Sequence, residues 1–207
     1  MKKQINKEQE DILRELINIG VGKGAEVLNT MIQSHIELEV PEISVISVDE
    51  LETHIGVDSD EALSAVDMKY QGNFSGDIEL VFPVDAASKL VSIITGDFSE
   101  AQDMDELRSS TLGEIGNVVL NAVIGSISNI FSFELSYSLP TYIEGDVNSI
   151  VSGISPLRKK VLVCARTKFK VEELEIEGNL IIFFSITTFE QMIQQLDDSA
   201  DTLFSDS

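Results

Sequence analysis

Asp11-Ile-Leu-Arg-Glu15-Leu-Ile-Asn18, followed after 22 residues by Pro41, has a second copy 99 positions on. That copy is Ser110-Thr-Leu-Gly-Glu114-Ile-Gly-Asn117, again followed after 22 residues by Pro140. Each places a short polar residue, a carboxylate and an amide at i, i+4 and i+7, which is one stripe of an α-helix. One more turn carries the stripe to Gly22 in the first copy and to Asn121 in the second. Roughly opposite lie Leu13, Leu16, Ile17, Gly20, Gly24 and Leu28, and in the second copy Leu112, Ile115, Val119 and Ala122. Each helix is expected to bury that apolar side and to turn its Glu–Asn pair toward water or a partner. Glycine inside a helix costs about 1 kcal/mol relative to alanine. Gly20, Gly22 and Gly24 therefore predict close backbone approach, on the buried side for two of them and on the exposed side for Gly22.

The flanking sequence repeats with the motif. Asn6 with Gln9 predicts a capping box and a first helix from about Lys7 to Met31. His35 to Val40 alternates as a strand ending at Pro41, and Glu42 to Val48 is a second extended segment. Leu63 to Tyr70 and Asn73 to Phe82 predict a hairpin turning at Gln71-Gly72. Asp85 is placed to cap a helix that Gly96 ends. In the second half Asp103 with Glu106 predicts another capping box, and Glu134 to Leu139 alternates as Ile36 to Val40 did. Asp146 to Gly153 predicts a short helix, Lys159 to Val171 and Glu173 to Phe184 two strands, and Thr187 with Glu190 the cap of a last helix ending near Leu196. The expected fold is α+β: one domain over residues 1–207, with half-repeats at about 6–98 and 103–196. Its internal pseudo-two-fold duplication builds a largely antiparallel central sheet with two long motif helices on an outer face. The acidic tail, 197–207, is expected to fray.

Of the 207 residues 43% are hydrophobic, enough for a substantial core. Met1-Lys-Lys-Gln leads into polar sequence, not a signal peptide, and no apolar run is long enough to span a bilayer. The single cysteine, Cys164, cannot form an internal disulfide and reads as a buried thiol in a reducing compartment. A net charge of −22 repels nucleic acid and anionic membrane, because binding there rests on phosphate neutralisation by Lys and Arg. The acidity itself fits solubility in the cytoplasm or in a salt-rich habitat, and an acidic face can also steer a partner with a basic rim.

The familiar catalytic sets are missing. The two histidines, His35 and His54, have no metal-ligand spacing, and Gly20-x-Gly22-x-Gly24 lies inside a helix with no Lys-Ser/Thr after it. A carboxylate and an amide on one helix face can still do chemistry if a partner brings the electrophile. An amide both donates and accepts, so it can hold a water and direct its lone pair at phosphorus. In-line attack on a phosphoryl group needs mainly positioning and charge neutralisation, and GTPases use a glutamine to place the water. The carboxylate can then anchor a basic residue beside the target phosphate. Glu and Asn on an exposed helix face are otherwise ordinary solvated residues; two copies with one set of spacings weigh against that, although duplication by itself would preserve an ancestral pattern.

At these residues the chain resembles the CheC family of chemotaxis phosphatases, with its signature [Asp/Ser]-x3-Glu-x2-Asn-x22-Pro. Asp11, Glu15, Asn18 and Pro41 match it, as do Ser110, Glu114, Asn117 and Pro140. The resemblance implies a phosphatase that hydrolyses the aspartyl-phosphate of a CheY-like response regulator in two-component signalling, with two potential sites. It assigns Asn18 and Asn117 to orienting the attacking water, and Glu15 and Glu114 to pairing with the regulator's lysine. Mg2+ and the phosphorylated aspartate would belong to the regulator, so no cofactor is expected on this chain. Asp11 and Ser110 are supporting positions that either bond the partner or shape the helix entrance, and Pro41 and Pro140 are expected to fix strand ends. The two-copy pattern is closer to CheC than to the one-site, dimeric CheX-like proteins, and a monomer is expected. The competing class is a non-catalytic adaptor that binds phosphorylated regulator or the receptor deamidase CheD.

Overall fold

The computed structural model of the chain describes residues 5–32, 35–55, 61–73, 75–96, 104–152, 160–171 and 174–203. The first motif lies on α1 (Lys7–Ile32), opened by the expected box: Gln9 donates its backbone N–H to Asn6 Oδ1 at 2.8 Å, and Asn6 donates its own to Gln9 Oε1 at 2.9 Å. Then come β1 (Ile36–Ile46), a 3-10 turn at Val48–Glu50, α2 (Leu51–Ile55), β2 (Leu63–Gly72), β3 (Gly76–Pro83) and α3 (Val84–Thr95). The second half follows with α4 (Met104–Ile130), which carries the second motif, β4 (Leu135–Tyr137), β5 (Thr141–Gly145), α5 (Val147–Ser152), β6 (Lys160–Val171), β7 (Leu174–Ser185) and α6 (Ile186–Leu203).

Among the described residues the strands form one antiparallel sheet in the order β1-β6-β7-β3-β2-β4, with β5 also beside β2. The order reads the same from either edge once β1 is matched to β4 plus β5, β6 to β2 and β7 to β3. The pseudo-two-fold axis passes through the pair Glu79–Ile181, the one β3–β7 pair whose members are equivalent in the two halves. Each half sends its first strand to the other half's hairpin: β1 pairs with β6, and β4 and β5 pair with β2. The halves are interlaced, so neither completes its sheet alone.

Side-chain alternation gives the sheet two apolar faces. Ile78, Leu80, Phe82, Leu180, Ile182 and Phe184 meet α1, α3, α4 and α6 in the larger core. Leu63, Ala65, Val81, Leu162, Ile181 and Phe183 meet Leu51 of α2 with Val147 and Ile150 of α5 in the smaller one. Cys164 lies in the smaller core, and burial pushes its thiol up to about 12. The long helices pack antiparallel through glycine. A Cβ on Gly20 would stand 2.5 Å from Val123 Cα, and one on Gly24 would stand 3.2 Å from Val119 Cα. These two contacts exchange under the 99-residue repeat, as a two-fold requires. No helix among the described residues is long and apolar enough to cross a membrane.

Several local expectations are corrected. Pro41 does not end a strand: β1 runs through it, and the register steps from Glu39–Lys168 to Glu42–Arg166, so two residues oppose one. Around Pro140 the step from Tyr137–Tyr70 to Thr141–Asp67 inserts one residue in the same way. Proline has no N–H for a ladder, so it sits at a β-bulge on each edge strand. The β2–β3 ladder ends at Tyr70–Gly76, so Gln71-Gly72 lies in the hairpin connection as expected, and there it pairs with Ser136 and Leu135 of β4. Asp85 lies inside α3, not at its cap, while Gly96 ends that helix in the left-handed region at φ 70° as expected. The last helix is capped by Ser185, whose Oγ accepts the Thr188 N–H at 3.0 Å. That helix continues to Leu203, so 197–203 is helical where fraying was expected, and 204–207 lies outside the described residues, as does Asp103.

Glu79, on the dyad, is wholly buried, and neither carboxylate oxygen has a hydrogen-bond partner among the described residues. Burial first, then Asp67 and Asp77, hold its pKa well above the usual carboxylate range. Its cross-strand neighbour Asp67 is pushed up to about 6 by burial and by Asp77, with Lys69 pulling the other way. Both acids keep protons in the folded chain that the unfolded chain releases in the ordinary carboxylate range, near 3.8 for Asp67. The folded state then binds more protons, so stability falls as pH rises through that value to about 6 and beyond. Replacing Glu79 by Leu, close to its symmetry mate Ile181, is expected to raise stability at pH 7 by about 1–3 kcal/mol and flatten this slope, measured by urea unfolding across pH. Gly20→Ala should cost about 1–3 kcal/mol by overpacking. Gly22→Ala, with nothing within 4 Å of its Cβ, should add about 1 kcal/mol.

Candidate functional site

The first motif's side chains sit on α1 as the wheel predicts. Glu15 is exposed, Asn18 is half-buried, and Leu13, Leu16 and Ile17 face the core. On α4, Glu114 is exposed and Asn117 half-buried, above buried Leu112, Ile115 and Val119. Asp11 pairs with Arg14 at 2.6 Å, and Ser110 is exposed. Each stands a turn or more inside its helix, so neither shapes a helix entrance.

The two amides differ in what they hold. Asn18 Nδ2 donates to the Val40 carbonyl at 3.1 Å, and the Val40 N–H donates to Asn18 Oδ1 at 2.9 Å. Val40 is the buried bulge residue before Pro41, where the edge strand's backbone leaves its ladder. A primary amide satisfies both groups at once. The 22-residue gap in the signature thereby acquires a structural reason, since it brings the bulge beside the amide.

The second copy closes its bulge without the motif. Leu139, the counterpart of Val40, is 88% exposed, and its carbonyl accepts the Ser138 hydroxyl at 3.1 Å. Ser138 also exchanges bonds with Lys69, its N–H donating to the Lys69 carbonyl at 2.8 Å and its Oγ accepting the Lys69 N–H at 2.9 Å. Asn117 instead receives Asn121: Nδ2 of Asn121 donates to the Asn117 backbone carbonyl at 2.7 Å and to Asn117 Oδ1 at 2.8 Å. Asn117 Nδ2 meets no acceptor among the described residues and stays open to a water or a partner.

Sequence reasoning missed Arg108, which stands just before the second motif. Its buried guanidinium bonds Asp105 and Glu144 at 2.8 Å, Tyr142 Oη at 3.1 Å and Ser88 Oγ at 3.2 Å. It ties α4 to β5 and α3 and so holds the second motif against the sheet edge. An arginine among acidic residues in an amphipathic helix gives little sign of such burial; the one available clue was its place on the apolar side, one turn before Leu112.

No family model matches the sequence. The CheY-P phosphatase CheC of Bacillus subtilis is 24% identical over 201 residues, which cover 93% of this chain and 95% of that protein. Over nearly its whole length the chain is similar to the CheC family. Solved structures share the fold: Thermotoga maritima FliY superposes with a TM-score of 0.70 at 19% identity, covering 93% of this chain and 97% of that one. A chain of the Borrelia burgdorferi CheX–CheY–BeF3–Mg2+ complex superposes at 0.52 and 15% identity, covering 83% and 99%.

The unequal bonding sets different structural costs for the two amides of this CheC-like chain. Asn18→Ala leaves both Val40 backbone groups unpaired and is expected to destabilise the chain by about 1–3 kcal/mol. Asn117→Ala should change stability by less than about 0.5 kcal/mol. Chemical unfolding of the two variants side by side measures the difference.

Proposed function

We propose that this chain hydrolyses the aspartyl-phosphate of a CheY-like response regulator, chiefly through its second motif. The observation that carries the reading is on α4: exposed Glu114 one turn from Asn117, whose Nδ2 has no partner among the described residues. The carboxylate docks on a lysine of the regulator, and the amide holds a water in line with the phosphorus. The regulator supplies the phosphoryl group and its Mg2+, and water takes the bond that the aspartate oxygen gives up. Most of the barrier is met by placing that water, because phosphoryl transfer asks for positioning more than for covalent chemistry. The CheC relative named as a CheY-P phosphatase, and the likeness to a CheX–CheY complex, support this choice of partner.

The first motif supports a second reading for its own surface. Glu15 is exposed, and the Asn18 amide gives one Nδ2 hydrogen and one Oδ1 lone pair to Val40, which leaves one of each. Such a surface binds a regulator and turns it over more slowly than the second, because its amide is held to the strand and offers fewer free groups to a water. CheD remains a candidate adaptor partner.

Phosphate release from an acyl-phosphorylated CheY-like regulator in Mg2+ should accelerate when the chain is added. Asn117→Ala should lower kcat at least about tenfold, the range for loss of a positioning group, and Asn18→Ala should lower it less. The double variant should abolish the acceleration, whereas Glu114→Ala should mainly raise KM. Equal losses in the two single asparagine variants would remove the ranking. Full activity in the double variant would remove the mechanism.

A further inference from the structure

We infer that Asn121 is a positioning residue for Asn117, an inference that rests on the phosphatase reading above and extends it to a residue outside the signature. The argument is one of donor and acceptor identity. The Asn117 backbone carbonyl can only accept, so the group of Asn121 that meets it at 2.7 Å is the NH2. The same NH2 reaches the Asn117 side chain at 2.8 Å, so the Asn117 atom there must be the acceptor Oδ1. One backbone carbonyl thereby sets the rotation of two amides in turn. Asn117 is left with its Nδ2 hydrogens and one Oδ1 lone pair in fixed places, which is what a water needs if its own lone pair is to face phosphorus.

The first motif has Gly22 at this position, exposed and with open space around it, so no side chain there can act on Asn18. Asn18 is oriented by the Val40 backbone instead. Each copy thus fixes its amide, but from different sides. In the second the fixing group lies on the same helix and leaves part of the amide for a ligand.

Two measurements test this. Without any partner, the 15N–1H heteronuclear NOE of the Asn117 side-chain NH2 (assigned by its loss in Asn117→Ala) should fall in Asn121→Ala, because χ2 of Asn117 is released. With phosphorylated regulator, Asn121→Ala should lower kcat about three- to tenfold at unchanged KM, the scale of freeing one side-chain rotor. Asn121→Gln should restore part of that loss, and adding Asn121→Ala to Asn117→Ala should change nothing more. An unchanged NOE, an unchanged kcat, an effect on KM alone, or an equal loss in the Asn117→Ala background would each overturn the inference. If the unaltered chain does not accelerate phosphate release at all, the phosphatase reading fails and the kinetic role of Asn121 falls with it. The NOE then reports separately whether Asn121 holds the amide.

Discussion

A residue bulged out of an edge strand next to a proline must find hydrogen-bond partners away from the ladder, and the rest of this molecule is arranged around how that need is met twice. At Val40 it is met across the fold by the Asn18 amide. At Leu139 the neighbouring Ser138 hydroxyl meets it locally, and the residue swings into solvent. Burial separates the two cases. Val40 is in the core, where an unpaired N–H and carbonyl would cost about 1–3 kcal/mol, whereas Leu139 has water at hand. The motif asparagine therefore bonds the edge strand in the first half and not in the second, where Arg108 ties the helix to β5 instead.

The same near-symmetry governs the core. Two glycine contacts related by the repeat bring α1 and α4 backbone to backbone, and interlaced edge strands lock the halves into one sheet. Where the axis crosses the sheet, equivalent positions must face each other, and this chain sets Glu79 against Ile181. Two isoleucines there would complete the apolar face. The carboxyl departs from the symmetric solution in a wholly buried stretch of the sheet, which is why burial raises its pKa and ties stability to pH.

Much of the architecture could be read from the sequence, because it follows from local periodicity. The α1 boundaries, the buried and exposed sides of both long helices, the β2–β3 and β6–β7 strands and the left-handed end of α3 at Gly96 all follow from residue spacing and capping chemistry. The interlacing could not be read, since nothing local tells β1 that its partner is β6 and not its own half's hairpin. Proline misled for a related reason: its missing N–H ends a ladder only if the strand cannot bulge past it. At α6 a serine just upstream out-competed the expected Thr187 cap. The site residues were visible as a pattern, but the bonding that distinguishes Asn18 from Asn117 depends on Val40, Ser138 and Asn121. None of the three is a signature residue, and each is hidden in one of its 22-residue gaps.

That gap bears on what the signature encodes. Read as chemistry alone, a proline 22 residues past an asparagine has no use, because its ring can neither hold water nor bind phosphate. Read as structure, in the first copy it sets the bulge beside the amide, so the motif there describes an attachment of helix to strand as much as a reacting group. An asparagine that can either clasp the bulge or face a partner has two sets of hydrogen bonds of the same kind, and a small local change selects between them. Ser138, which relieves the bulge, and Asn121, which takes over the amide, are two such changes in the second half. No glycine is needed at the bulge for this, since the choice lies in side-chain donors and acceptors. A duplicated domain can keep one copy clasped for stability while the other presents its amide, so retention of both signatures does not require both to turn over substrate.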